Sequence, residues 1–158
     1  TDATGTASVT ATANTNVGSY KVTASSGIHR VDFNLSNTVG ALANLELLAG
    51  DAQSAELNTA FATKLTVKAT DAYGNLVPNA SISFAAPSTG ASATLSSASA
   101  ITGANGQASV TATANGIAGS YNVTASSGAA SVEFNLTNTA APTPLPTNYN
   151  ISLPHIVR

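Results

Sequence analysis

The sequence predicts an all-β protein whose unit is a two-sheet β-sandwich, and three observations support this prediction. Ser and Thr supply 41 of the 158 residues, and Ala supplies 31. β-Branched side chains fit the half-buried surface of a sheet, and small residues let two sheets approach closely. Apolar and polar residues alternate at period two in several short runs, and turn sequences such as AYGN, STG and SSG separate these runs. This pattern is typical of short strands that bury one face.

An internal repeat organises the chain. Residues 1–38 align without gaps on residues 102–139, with 26 of 38 positions identical and an offset of 101 residues. One sandwich domain with its connector has about this length. We therefore expect one complete domain, preceded by the C-terminal half of another. The expected segments are a half repeat with its last three strands at 1–38, a complete repeat at 39–139, a Pro/Thr-rich linker at 140–147 and a short C-terminal strand or tail at 148–158.

Seven strands are predicted for the complete repeat. Its second half contains the runs at 108–114, 120–125 and 131–136, which correspond to 7–13, 19–24 and 30–35 in the first copy. Upstream lie 45–48 and 57–61, interpreted as a split first strand, then 64–69, 80–84 and 93–95. Seven short strands with regular turns are what a two-sheet sandwich requires. Tyr121 opens the sixth strand. Two interpretations are open: its hydroxyl forms a hydrogen bond with the backbone at the sheet corner, or the side chain is a plain core aromatic.

Several segments resemble the bacterial Ig-like group 1 domains of the invasin and intimin family. They are LTVKATDAYGNLVPNASISF at 65–84, TGANGQASV at 102–110 and AGSYNVTA at 118–125, with TDATGTASV at 1–9 and VGSYKVTA at 17–24 in the first copy. The resemblance implies an Ig-like sandwich fold and tandem domains that stack end to end on the bacterial surface as a stalk. It implies no particular binding residue, because in that family these repeats mostly serve as spacers.

The incomplete first copy predicts an exposed apolar face. Residues 1–38 lack about four strands, so the inward side chains have no opposing sheet within the copy. Burying one such side chain is worth roughly 1.5–3 kcal/mol, so an open half-sandwich is expected to find a partner. The missing strands could come from another chain, from a cleaved N-terminal part or from sequence that precedes Thr1. The residues predicted to make inter-subunit contact on this face are Val9, Tyr20, Val22, Val31, Phe33 and Leu35.

The C-terminal tail carries one further candidate strand. Tyr149, Ile151 and Leu153 alternate with polar residues after the Pro-rich segment, and Pro154 ends the run because it cannot donate to a ladder. One interpretation is a disordered or anchor-recognised terminus. The other is strand addition, in which these three residues contact an exposed sheet edge of a neighbouring subunit. A single strand cannot replace the four that the first copy lacks.

Composition excludes several function classes. Only five Lys and Arg are present and the net charge is −2, so no nucleic-acid partner is expected. No run of 18 apolar residues occurs, so we expect no membrane span in this chain. His29 and His155 are the only histidines and Cys is absent, so we expect no catalytic residue, cofactor or metal site and no enzyme. A calcium ion between domains, held by Asp51 or Glu56, is one alternative, and a covalent bond from Lys64 or Lys68 to an Asn is another.

The expected function is extension outside the cell. The sequence predicts an extracellular, bacterial-surface structural protein, a stalk or filament subunit of tandem Ig-like domains, assembled head-to-tail by strand complementation between subunits. Its expected partners are copies of itself or adjacent Ig-like domains. The alternative is an adhesin module that binds a host receptor or glycan, and a third interpretation is an accessory domain of an enzyme.

Overall fold

The computed structural model describes residues 1–143, and these form strands and no helix. None of these residues lies in a helix long and apolar enough to cross a membrane. The prediction of an all-β sandwich is confirmed. The strands are β1 Gly18–Ser26, β2 His29–Asn37, β3 Asn44–Ala49, β4 Gln53–Glu56, β5 Leu65–Thr70, β6 Ser81–Ala85, β7 Ala93–Leu95, β8 Ser99–Ile101, β9 Gln107–Val110, β10 Ala112–Ala114, β11 Gly119–Ser127 and β12 Ala130–Thr139.

The strands from β3 to β12 build the two layers of the complete repeat. One layer has the order β4-β12-β11-β6-β8, and the other contains β3-β5-β9 and the pair β10-β7. The chain changes layer between β3, which pairs antiparallel with β5, and β4, which pairs parallel with β12. Gly50 lies at this crossing with φ +95°, and a Cβ there would collide with the Lys64 carbonyl. Only glycine fits this position without strain.

Inward side chains of both layers form one core. Alternation at period two buries Leu65 and Val67 of β5 from one layer, and Ile82 and Phe84 of β6 from the other. Phe84 stacks against Phe134, with ring centroids 6.5 Å apart and an interplanar angle of 29°. This contact joins β6 to β12 within the core of the sandwich.

The structure corrects the predicted strands of the complete repeat. The second part of the split strand, predicted at 57–61, is wrong, because β4 lies earlier and Asn58 turns the chain with φ +61°. Phe61 still enters the core. The prediction missed β8, a three-residue strand hydrogen-bonded to β6, because three residues carry too little alternation to be recognised. The run predicted at 108–114 is two strands, since β9 pairs with β5 and β10 pairs with β7.

The first copy keeps its hairpin but lacks a strand. β1 and β2 pair in the register of β11 and β12, so that Tyr20 lies opposite Leu35 just as Tyr121 lies opposite Leu136. The strand predicted at 7–13 is wrong, because this segment is extended without strand hydrogen bonds. The corresponding residues of the complete repeat are strands because β5 and β7 supply the ladder partners, and the first copy has no equivalent of either.

Candidate interaction face

The open face of the first copy is an apolar groove between the segment 7–13 and the β1–β2 hairpin. Its volume is about 570 Å³. Inward side chains of the hairpin form one wall, and Val9 and Ala11 form the other. The outward side of the hairpin is polar, since Lys21 pairs with Asp32 at 2.9 Å and Thr23 donates to the same carboxylate. These contacts lower the pKa of Asp32, chiefly through Lys21. We call the apolar side the open face, and its residues are Ala7, Val9, Ala11, Val22, Ala24, Phe33 and Leu35.

The complete repeat shows how far this face is uncovered. Phe33 is 52% exposed, whereas Phe134 at the same position of the complete repeat is 0% exposed. Val9 is 87% exposed and Val110 is 3% exposed. The same side chains that form the core of the complete repeat therefore face solvent in the first copy. An exposed apolar face of this kind is a candidate interaction surface.

The two copies are identical at every inward position of this half. The open-face residues and Tyr20, Val31 and Asn37 recur 101 residues later as the same residue types. The 12 differences lie in loops, at the hairpin tip or on outward positions, such as Lys21 against Asn122 and Asp32 against Glu133. The open face therefore has the chemistry and shape of a surface that elsewhere in the chain is fully covered.

Within residues 1–143, four stretches of backbone in the first copy have no counterpart of the neighbouring strand that pairs with the corresponding stretch of the complete repeat. In the complete repeat, β9 pairs with β5, β10 with β7, β11 with β6 and β12 with β4. An exposed edge of unpaired N–H and C=O groups is a template for an added strand. The corresponding stretches of the first copy are 6–9, 11–13, 23–25 and 35–38.

A buried asparagine fixes the loop beside the face in both copies. Asn37 donates from Nδ2 to Asn14 Oδ1 at 2.8 Å and to the Asn16 carbonyl at 3.0 Å. It thereby ties the loop after the segment 7–13 to the end of β2.

The corresponding network of the complete repeat is larger. Asn138 donates from Nδ2 to the Ser92 carbonyl at 2.9 Å, to Asn115 Oδ1 at 3.0 Å and to the Ile117 carbonyl at 3.2 Å. Tyr121 donates from its hydroxyl to Asn138 Oδ1 at 2.9 Å. Burial raises the pKa of this hydroxyl, and the bond to Asn138 partly offsets the shift. The Tyr121 hydroxyl therefore forms a hydrogen bond with a side-chain amide. The two interpretations from the sequence were a hydrogen bond to the backbone and a plain core aromatic.

The junction between the two copies centres on Asp71. This buried carboxylate accepts hydrogen bonds from the backbone N–H of Gly40, Tyr73 and Asn75 and from Asn75 Nδ2. These bonds, led by that of the Asn75 side chain, lower its pKa to about 2. Asn75 Nδ2 also donates to the Thr15 carbonyl at 2.9 Å, which links the complete repeat to the loop of the first copy.

The structure places the predicted contact residues on one hairpin and its neighbouring segment. Val9, Val22, Phe33 and Leu35 line the groove, and Val31 lies in a separate hollow near the hairpin tip. Tyr20 is half-exposed at the other end of β1. Tyr149, Ile151 and Leu153 lie outside the described residues. Whether any of these residues contacts another subunit stays a prediction.

Sequence reasoning missed Asn37 and the Asp71 junction. The recurrence of Asn14 and Asn37 as Asn115 and Asn138 was the available signal, since the same Asn–Asn hydrogen bond forms in both copies. Within residues 1–143, no three His, Asp or Glu side chains lie close enough to hold a metal ion. Asp51, considered above for calcium, accepts a hydrogen bond from the Asn135 backbone N–H at 2.8 Å.

Comparison with protein families identifies the complete repeat. The sequence profile of the bacterial Ig-like domain (group 1) matches residues 48–143, which is more than half of the chain. The chain belongs to the bacterial Ig-like (group 1) domain family. The profile covers nearly all of the complete Ig-like repeat, from the end of β3 to the residues after β12. No curated protein matches the chain significantly.

Several solved structures are similar to this chain at low sequence identity. Domains 4 and 5 of the S-layer protein SbsC match with 19% identity and a TM-score of 0.51, covering 78% of this chain and 59% of that one. Domains 4–9 of SbsC match with 16% identity and a TM-score of 0.53, covering 80% of this chain and 18% of that one. The D00-D0 domain of intimin is 20% identical with a TM-score of 0.46, covering 70% and 56%. This chain therefore spans less than two thirds of each of these structures.

Proposed function

We propose that this chain is a segment of an extracellular structural protein of the bacterial surface, a stalk or filament in which Ig-like repeats follow one another. The observation that carries the proposal is the direct succession of a half repeat and a complete repeat, joined by the bond from Asn75 Nδ2 to the Thr15 carbonyl. The fold likeness to an S-layer protein is consistent with a load-bearing role at the cell surface. Catalysis is not part of the proposed function.

Labelling of intact cells tests this location. Antibodies against residues 39–143 are expected to bind cells that produce the protein without permeabilisation, and external protease is expected to remove the signal. Labelling that appears only after permeabilisation would contradict the proposal. A cytoplasmic protein of the same cells serves as the control for membrane integrity. Electron microscopy of the labelled cells then distinguishes extended stalks or filaments from a flat layer.

We propose further that subunits assemble head-to-tail through completion of the open face. Apolar burial supplies the driving force, because the side chains that line the open face are almost all apolar. A contact between unlike surfaces propagates as an open filament unless its rotation closes a ring. Deletion of 148–158 tests whether the tail is the added strand. Loss of polymers in the shortened chain is expected if it is, and unchanged polymers assign the completion to other strands.

A further inference from the structure

A polar hollow lies at the junction between the first copy and the complete repeat, and its volume is about 270 Å³. One side is the loop after the segment 7–13 together with the linker to β3, and the other side is the turn after β5. We call it the junction hollow, and its lining residues are 13–16, Thr38, Gly40, Asp71, Tyr73 and Asn75. We propose that the junction hollow binds one uncharged sugar unit of a glycan.

The hollow is expected to stay open when the first copy is covered. Asn16 corresponds to Ile117 of the complete repeat, and Ile117 is 51% exposed. Thr38 corresponds to Thr139, which is exposed as well. Both remain exposed although the first half of that repeat is present and covers its core. A half repeat ahead of the first copy is therefore expected to leave Asn16 and Thr38 accessible.

The lining of the hollow disfavours charged ligands of either sign. Asp71 Oδ1 accepts the backbone N–H of Tyr73 and of Asn75, and Oδ2 accepts the Gly40 N–H and Asn75 Nδ2. A carboxylate has about four lone-pair sites, so none is left for a cation. No Lys, Arg or His lines the hollow, so an anion would find no opposite charge there. The ligand that fits is uncharged.

The remaining polar groups suit the hydroxyls of a sugar. Within residues 1–143, the hydrogen bonds of Asn16 and Tyr73 involve only their backbone atoms, so the amide and the phenol are free to bond a ligand. Asn75 uses Nδ2 for Asp71 and Thr15, which leaves its Oδ1 as an acceptor. The Tyr73 ring is 70% exposed and offers an apolar surface on which the C–H groups of a sugar ring can pack.

The size of the hollow limits the ligand to about one sugar unit. Pockets for drug-sized ligands measure about 300–1,000 Å³, and the junction hollow is smaller. A ligand with few atoms binds weakly, so we expect a Kd of about 0.1–10 mM.

The loop that borders the hollow is more polar than its counterpart in the complete repeat. Thr15 and Asn16 correspond to Gly116 and Ile117, whereas the inward residues of the two copies are identical. The counterpart loop therefore has no hydroxyl or amide side chain at these two positions. This difference supplies a natural substitution, Asn16→Ile, for testing the site.

Titration of the full chain with small glycosides tests the proposal. The probes are the methyl glycosides of glucose, galactose, mannose and N-acetylglucosamine, and binding is followed in ¹⁵N–¹H spectra of the labelled chain. We expect at least one probe to shift the amide signals of Thr15, Asn16, Tyr73 and Asn75 saturably. The uronic acid derivative of that sugar is expected to bind at least about fivefold more weakly, because its carboxylate has no cationic partner. Absence of a saturable shift at these residues with all the probes, or equal binding of the acid, would overturn the proposal.

Two variants assign the binding to the hollow. Tyr73→Ala removes the ring, and Asn16→Ile replaces the amide with the side chain found in the complete repeat. Both side chains are exposed, so the fold is expected to be unchanged. We expect each variant to weaken binding at least about tenfold and the control Asn122→Ala, on the outward side of β11, to change it less than about twofold. Unchanged binding in Tyr73→Ala and Asn16→Ile would place the sugar elsewhere and contradict the inference.

A longer chain tests whether the hollow is open when the first copy has its covering half. A copy of 39–101 placed ahead of Thr1 supplies that half within one polypeptide. We expect the Kd for the sugar to agree with that of the natural chain within about threefold. Loss of binding in the longer chain would refute the site. These measurements do not involve cells, so failure of the sugar site and failure of the proposed location are distinguishable.

Discussion

Asn138 shows how one buried amide can fix a loop, a strand and a tyrosine together. Its Nδ2 donates hydrogen bonds to the Ser92 and Ile117 carbonyls and to Asn115 Oδ1. Its Oδ1 accepts a hydrogen bond from the Tyr121 hydroxyl. An Ala at this position would leave these buried groups without partners, which costs about 1–3 kcal/mol. We expect Asn138→Ala to lower the free energy of unfolding by this amount, measured by urea denaturation.

Two controls accompany this variant. Tyr121→Phe removes one bond of the network and should cost about 0.5–1.5 kcal/mol. Asn37→Ala makes the same change in the first copy and should alter unfolding of the complete repeat by less than about 0.5 kcal/mol. Equal losses for Asn37→Ala and Asn138→Ala would contradict the assignment of the network to the core of the complete repeat.

The lowered pKa of Asp71 makes the stability of the folded chain depend on pH in a defined direction. Its pKa falls from the ordinary 3.8 to about 2 in the folded chain, because the Asn75 amide and three backbone N–H groups bond the carboxylate. The folded state therefore holds its proton less tightly than the unfolded state. The stabilisation is fully present above pH 3.8 and is lost as the pH falls from 3.8 towards 2.

Asp71→Asn tests this dependence. We expect a lower urea midpoint at pH 7, because the new NH₂ group would face the donors that Asp71 accepts. We also expect the fall in midpoint between pH 4 and pH 2 to become shallower. Asp32→Asn, which alters an exposed carboxylate of the first copy, should leave the acid limb of the complete repeat unchanged. An unaltered acid limb in Asp71→Asn would refute the role of this carboxyl.

Corresponding strands of the two copies have identical inward residues but differ in what covers them. Phe134 stacks on Phe84 in the core, whereas Phe33 lies in the open groove. Truncation of a buried Phe to Ala costs about 3–5 kcal/mol. We expect Phe134→Ala to lose this amount in urea denaturation and Phe33→Ala to lose less than about 0.5 kcal/mol. Similar losses would mean that the open face is covered in the free chain.

The octapeptide ASVTATAN, which occurs once in each copy, shows how far the sequence could predict the structure. It is extended without strand bonds at 7–14 and forms β9 and β10 at 108–114. Its alternation identifies which side chains face inward, so the apolar residues of the open face were predictable. Strand formation depends on a ladder partner far along the chain, and the alternation does not report whether that partner is present.

The polar contacts of the candidate site were less predictable for the same reason. Asn37 and Asn14 are 23 residues apart, and Asn75 and Thr15 are 60 residues apart. Such pairs meet only because the sheets bring loops together, and no local pattern encodes the distance. The three-residue β8 and the early turn at Asn58 were missed because short edge elements carry little hydrophobic periodicity.

The side-chain amide of Asn75, in the complete repeat, forms a hydrogen bond with the first copy. Asn75 Nδ2 lies 2.9 Å from the Thr15 carbonyl. Asn75→Ala removes this bond, together with the bond from Asn75 Nδ2 to Asp71, and should let the hairpin move separately from the complete repeat. We expect ¹⁵N relaxation to give one rotational correlation time for 18–37 and 44–139 in the natural chain, and a shorter time for 18–37 in the variant. Asn105→Ala, in a turn whose amide bonds Gln107, is the control and should keep one time.

The identity of the inward residues in the two copies has a consequence for how such an array can change over generations. Recombination between the two copies exchanges DNA that encodes the same interior, with an offset of 101 residues. A crossover there inserts or deletes one whole unit and leaves every remaining core with its proper complement. A chain of such repeats can therefore lengthen or shorten in steps of one unit, and the 12 differences between these two copies leave the inward positions unchanged.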